Sequence, residues 1–348
     1  MDSRIYAAID ANINRSLEGI RVCEDIFRFV ARNKVLSVKL KDIRHNIADA
    51  IKAFSYKGLL SSRDVDNDSQ KFVDLDSEKK RDNLQDILKS NLHRAMEAMR
   101  SVEEFYKLLH AKSDENPFQK IRFSLYSIEK ELISCLIRNG KHKKFKNSLY
   151  AILDSSFVKN EEYLNAAQRL IKGGASIIQL RMKNHSQGKI LEVAKEISGL
   201  CKENNVLLII NDYPDIAYLS GADGVHLGQD DLPVIEVRRL FPMDMIIGIS
   251  THSREQAVVA ARCEPDYIAI GPVYNTKTKN NQNINGIGED VVREVSGGTD
   301  IPVVAIGGLN PERIGILKTL RCGCYAVVSY LYKDDKIEDN CRGITGIL

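Results

Sequence analysis

Eight short apolar runs, spread through the last two hundred or so residues and separated by amphipathic stretches, constrain this chain more than any other feature of it. The runs are 149–153, 176–180, 206–210, 224–227, 245–249, 267–270, 303–306 and 325–328. Each has the length and composition of a strand buried on both faces, and none is long enough for a buried helix. Stretches with helical periodicity, such as 161–171, 188–201, 233–240, 253–262 and 311–320, fall between them. Strand and helix alternating eight times predict an α/β fold, a closed (β/α)8 TIM barrel. An open doubly wound sheet is the alternative, weakened by the absence of G-x-G-x-x-G after the first run.

The chain is 348 residues long, more than one domain usually needs, and its first part follows a different pattern. Up to about residue 138, apolar residues recur every three or four positions with hardly a glycine or proline, which predicts an all-helical domain. This part repeats itself. The segment 11–25 aligns with 90–104, placing Asn12 on Asn91, Arg15 on Arg94, Glu18 on Glu97, Arg21 on Arg100 and Glu24 on Glu103. A second echo pairs 41–44 with 119–122. A helical hairpin present twice predicts a pseudo-twofold bundle of about four helices. The polar, basic stretch from Arg138 to Asn147 reads as a linker, giving a helical domain at 1–138, a linker at 139–147 and a barrel at 148–348.

Composition removes several classes of function. Net charge is +3 on 50 basic and 47 acidic residues, so charge does not suggest nucleic acid binding. No apolar run reaches a membrane span and no leader-like segment opens the chain, so a cytoplasmic protein with no membrane partner is expected. The seven cysteines are odd in number and lack zinc-type spacing, which fits reduced thiols. Cys322 and Cys324 are read as small buried residues before a strand.

In a barrel, chemistry belongs at the C-terminal ends of the strands. Gln179, Arg181 and Lys183 stand there after the second run, Asn211 and Asp212 after the third, and Asp231 after the fourth. Ser250 ends the fifth, Thr276, Thr278 and Lys279 follow the sixth, Gly307-Gly308 the seventh, and Val328-Ser329 the eighth. Cations, hydroxyls, glycines and two carboxylates suit a polyanion with a hard metal ion, since Mg2+ takes one or two carboxylates and completes its shell with phosphate oxygens. Asp212 and Asp231 are the metal candidates, and caps or turn residues are their other reading. Arg181, Lys183 and Lys279 could neutralise a diphosphate, or simply face solvent. Gly307-Gly308 could cradle a phosphate or form a tight turn. His226 is read as a hydrogen-bonded structural histidine.

The ordered series Gln179 to Lys183, Asn211-Asp212, Gly224 to Asp231, Gly248 to Ser250, Gly271-Pro272 with Thr276 to Lys279, Val304 to Gly308 and Val328-Ser329 closely resembles thiamine-phosphate synthase over about 148–330. The resemblance implies a transferase that joins an aminopyrimidine diphosphate to a thiazole phosphate through a pyrimidinyl-methyl cation. It implies that Gln179, Arg181, Lys183, Asn211, Ser250 and Lys279 hold the pyrimidine diphosphate, with Lys279, Ser250 and Arg181 as the catalytic set. Asp212 and Asp231 would hold Mg2+, and Thr276, Thr278, Gly308, Val328 and Ser329 the thiazole phosphate. The asparagine-rich stretch 280–285 departs from the pattern and is read as a candidate lid. Small-molecule substrates are the expected partners, with a homo-oligomer left open. A thiazole tautomerase-like barrel is the alternative.

The helical part is similar to the domain described as an alternative hydroxymethylpyrimidine phosphate kinase, through Asp10-Ala11-Asn12, Asn14-Arg15, Glu18 to Val22, Glu24-Asp25 and Ser62-Arg63-Asp64. That resemblance implies ATP as a substrate, although no P-loop is present. Two other readings of the charged repeat remain: ion pairs that hold the bundle together, and an anion site between its copies. A noncatalytic docking module is the rival for the whole domain. The acidic stretch 64–68 lacks EF-hand spacing.

Overall fold

The computed structural model describes residues 2–63, 80–111, 115–158, 162–241, 244–276, 285–320 and 322–348. These form two compact units, Met1–Ile137 and Arg138–Leu348.

Among the described residues the first unit is helical throughout. It contains α1 (Asp2–Asp25), which runs on through a π-helical turn at Ile26–Val30, then α2 (Lys34–Ala50), α3 (Tyr56–Ser62), α4 (Leu84–Leu109) and the start of α5 (Pro117–His142). Side chains cap three of the N-termini: Asn33 accepts from Leu36 N, Ser55 from Gly58 N and Asn83 from Asp86 N. Apolar residues at three and four spacing, among them Ile9, Ile13 and Ile20 of α1 and Leu88, Leu92 and Met99 of α4, build one core. Gly19 lets α1 approach α4 closely, because a β-carbon there would lie 2.7 Å from Asn91 O.

The repeat is physical as well as textual. Asn12 and Asn91 each donate from Nδ2 to the carbonyl four residues earlier, Ala8 and Ile87, both at 2.8 Å. Glu24 and Glu103 are both buried. Arg44 Nη2 lies 3.0 Å from Glu24 Oε2, and Arg122 Nε donates to Glu103 Oε2 over 2.8 Å. Of the charged series, then, Glu24, Glu103, Arg21 and Arg100 serve as ion pairs. Arg15, Glu18, Arg94 and Glu97 are exposed and form no ion pair among the described residues.

The second unit is a closed parallel barrel in sequence order. Its strands are β1 (Ser148–Asp154), β2 (Ile177–Arg181), β3 (Leu207–Asn211), β4 (Gly224–Leu227), β5 (Ile246–Thr251), β6 (Tyr267–Ile270), β7 (Val303–Ile306) and β8 (Cys324–Val327). Helices α6 (Tyr163–Lys172), α7 (Gln187–Glu203), α8 (Pro214–Ser220), α9 (Val234–Leu240), α10 (Arg254–Ala261), α11 (Glu289–Gly298), α12 (Pro311–Leu317) and α13 (Ile337–Thr345) follow the strands in turn. Alternation along each strand separates two cores. Leu149, Ala151 and Leu153 of β1 belong to the layer packed on the helices, whereas Tyr150 and Ile152 belong to the interior with Ile177, Ile209, Ile246, Tyr267 and Val304.

The linker expected at 139–147 is instead structured: 139–142 finish α5, and Lys143–Phe145 form a 3-10 turn whose Phe145 is buried. Three charged side chains at and beside it find acidic partners within the second unit. Arg138 Nε lies 3.0 Å and His142 Nε2 3.1 Å from Asp266 Oδ1, and Lys141 Nζ lies 3.0 Å from Asp223 Oδ1. None of the seven cysteines forms a disulfide, and Cys322 and Cys324 are buried. Among the described residues no helix is long and apolar enough to cross a membrane.

Candidate active site

The C-terminal ends of the strands surround a cavity of about 430 Å³, a size suited to small ligands. Gln179, Arg181, Lys183, Asn211, Asp212, Asp231, Ser250, Thr276, Gly308, Val328 and Ser329 all line it. Lys277, Thr278, Lys279 and the stretch 280–284 lie outside the described residues.

Strand register explains much of this convergence. β1 and β2 pair so that Asp154 stands opposite Arg181, and the two form an ion pair with Asp154 buried. The Ser156 hydroxyl and N–H donate to Asp154 Oδ1 at 2.6 and 2.9 Å, so the carboxylate is fixed and in turn fixes the guanidinium. β3 and β4 place Asn211 beside His226. Just beyond, Asp212 has a φ of 66°, a left-handed conformation that only a few non-glycine residue types adopt readily, and its N–H donates to His226 O over 2.9 Å. Gly228 N donates to Asp231 Oδ2 over 2.6 Å, which holds the second carboxylate near the first.

The electrostatics of this pair favour a cation. Burial, followed by the charge of Asp231 and a hydrogen bond with it, pushes Asp212 up to about 6, against the pull of Lys183 and Arg181. Two carboxylates this close are relieved by a positive ion between them. Asp212 and Asp231 offer carboxylate oxygens, the hard donors that Mg2+ prefers, and leave the rest of its shell to substrate oxygens. Burial holds His226 down to about 4, although Asp231 opposes this, and the ring is neutral.

On the far side of the cavity mouth from β3 and β4, Gly307 and Gly308 have φ values of 102° and 65°. A β-carbon at Gly307 would lie 2.4 Å from Pro272 Cβ, so this turn requires glycine. Among the described residues the N–H groups of Gly308 and Ser329 have no hydrogen-bond partner. Arg313 donates to Gly308 O and stacks its guanidinium 4.5 Å from the centre of the Tyr274 ring.

Sequence reasoning gave no role to Tyr150, Asp154, Tyr267, Gln229 and His252, all of which line the cavity. Asp154 carried the same strand-end signal as Arg181. Tyr150 and Tyr267 sat inside apolar runs, where nothing local marks the inward face.

Residues 149–331 match the family described as thiamine monophosphate synthase. A thiamine-phosphate synthase of Prochlorococcus marinus is 33% identical over 328 residues, covering 94% of this chain and 92% of its own. The chain belongs to the thiamine-phosphate synthase family. Another thiamine-phosphate synthase, from Rhodopirellula baltica, is 33% identical over 354 residues, covering 99% of this chain and 92% of its own. Among solved structures, the thiamine phosphate pyrophosphorylase from Pyrococcus furiosus is similar with a TM-score of 0.54 at 30% identity, over 59% of this chain and 96% of that one. Residues 7–131 match the ThiD2 family, so the synthase barrel here follows a second recognised domain.

Proposed function

We propose that the cavity joins an aminopyrimidine diphosphate to a thiazole phosphate, giving thiamine phosphate and diphosphate. The observation that carries this reading is that cationic and acidic strand ends from β2 to β4 and a glycine turn after β7 open into one cavity. Asp212 and Asp231 would hold a Mg2+ ion, which when bound supplies a Lewis acid for the diphosphate oxygens. Arg181, oriented by Asp154, directs its remaining N–H donors to the diphosphate, with Lys183 and Lys279 adding positive charge. The methylene carbon–oxygen bond breaks with its electron pair on the leaving diphosphate. The walls of the cavity keep water from the resulting cation until the thiazole nitrogen supplies the lone pair of the new bond. Gln179, Asn211 and Ser250 hold the pyrimidine ring. Thr276, Thr278 and the backbone of Gly308, Val328 and Ser329 hold the thiazole phosphate, the two unpaired N–H groups being suited to its oxygens.

The helical unit is proposed to phosphorylate the pyrimidine monophosphate with ATP. Support comes from the ThiD2 match and from Asp10, a buried carboxylate gripped by Arg63 through two hydrogen bonds of 2.8 and 2.9 Å within the motif residues.

The test is product formation by the purified full-length protein. With Mg2+ and thiazole phosphate, thiamine phosphate should form from the pyrimidine diphosphate alone, and from the monophosphate only when ATP is present. Asp212→Ala should lower the first rate by about a hundredfold or more. No product from the diphosphate would overturn the synthase reading, and product from the diphosphate alone would overturn only the kinase.

A further inference from the structure

A continuous hydrogen-bond chain crosses the barrel interior from β2 to β5. Gln179 Nε2 donates to Tyr150 Oη over 2.8 Å, and Tyr150 Oη lies 2.9 Å from Tyr267 Oη. Tyr267 Oη lies 2.9 Å from His226 Nδ1, and His226 Nε2 lies 2.8 Å from Ser250 Oγ. Gln179, Tyr150, Tyr267 and His226 are 4%, 1%, 0% and 8% exposed, so water does not complete any of these links. Phe145 stacks on the Tyr267 ring at 4.7 Å and His226 stacks on it at 5.6 Å, so the central member is clamped.

Counting protons gives the chain a direction. Each phenol carries one proton and the neutral imidazole carries one. The Gln179 amide occupies Tyr150 Oη as donor, so the Tyr150 proton goes to Tyr267. The Tyr267 proton then has only His226 Nδ1 to meet, and that nitrogen must be bare. The imidazole proton therefore sits on Nε2 and is donated to Ser250 Oγ. The Ser250 hydroxyl keeps its own proton, which no described residue accepts, and Ser250 lines the cavity.

We propose that Tyr150, Tyr267 and His226 are positioning residues that hold the Ser250 hydroxyl as a donor towards an unprotonated ring nitrogen of the heteroaromatic substrate. The identity of that acceptor rests on the synthase reading above, and the direction of the chain does not. With the opposite direction Ser250 would present only lone pairs and would select a ring N–H. A bare ring nitrogen is what a neutral aminopyrimidine offers.

The direction can be read without substrate. In full-length protein labelled with 15N-histidine, a two-bond 1H–15N spectrum distinguishes the two neutral tautomers, and loss of a signal in His226→Gln identifies His226 among the seven histidines. The Nε2–H pattern is expected, and an Nδ1–H pattern overturns the proposal while leaving the synthase reading intact. Tyr267→Phe keeps the stacked ring and removes only the hydroxyl. It should raise KM for the pyrimidine diphosphate about tenfold, with KM for thiazole phosphate unchanged. Combined with Ser250→Ala it should be no worse than Ser250→Ala alone, because both cut one chain. Additive losses overturn the proposal. Wild-type protein that forms no thiamine phosphate overturns the synthase reading and, with it, the acceptor assigned to Ser250.

Discussion

At Gly248 a β-carbon would fall 1.9 Å from Tyr267 Cζ, inside the ring that joins the two halves of the interior chain. Glycine is required there by its neighbour on the next strand, for the register sets Gly248 beside Tyr267. Gly248→Ala should destabilise the barrel by about 1 to 3 kcal/mol through overpacking, measurable as a lower denaturant midpoint. The same variant should raise KM for the pyrimidine substrate, because the ring it displaces carries the Tyr267 hydroxyl. Residue-level legibility divides along similar lines. Polar residues that terminate an apolar run, such as Arg181, Asp212 and Ser250, announce themselves, because a strand end in a barrel has one place to be. Tyr150 and Tyr267 do not, since only closure of the barrel brings their hydroxyls together across its interior, 117 residues apart in sequence. The φ of Asp212 is likewise set by the turn it enters, and no neighbouring letter predicts it.

The elements were readable wherever local periodicity was strong. All eight strands lie within a residue or two of the apolar runs, and α6, α7, α9, α10 and α12 match the amphipathic stretches. The end of α5 was misread because Gly140 and a run of lysines resemble a linker, whereas the carboxylates that hold this segment are distant in sequence. Asp266 illustrates the point. Burial pushes its carboxyl up, but a hydrogen bond with His142 and the charges of Arg238, Arg138 and His142 outweigh this, and it lies below the usual aspartate range. Ile247 N also donates to it, over 2.8 Å. A carboxyl whose folded value is lowered stabilises the fold above the unfolded value of about 3.8 and loses that contribution as pH falls through the folded value. Acid unfolding of the wild type should therefore steepen only below that range. Asp266→Asn should remove this limb and cost about 3 kcal/mol at neutral pH, because a buried carboxylate is lost from the half-buried Arg138, His142 and Arg238 around it. Equal stability of the variant and the wild type in urea would contradict this account.

Two units on one chain, each matching its own family, imply two separable losses of function. Asp212→Ala should stop thiamine phosphate formation from either pyrimidine feed and leave ATP turnover with the monophosphate intact. Asp10→Asn should stop the monophosphate feed and leave the diphosphate feed near its wild-type rate. If both variants impaired both feeds equally, a division of labour between the units would be excluded. Within the helical unit, Glu24 with Arg44 and Glu103 with Arg122 are the same solution to the same problem, written twice. Asp10 is different, since the repeat puts Lys89 at its counterpart and the Asp10–Arg63 pair occurs once. A twofold scaffold of this kind need not carry the same chemistry twice: both copies keep the ion pair that ties their helices together, while a carboxylate stands at the position of Asp10 in one copy and a lysine in the other.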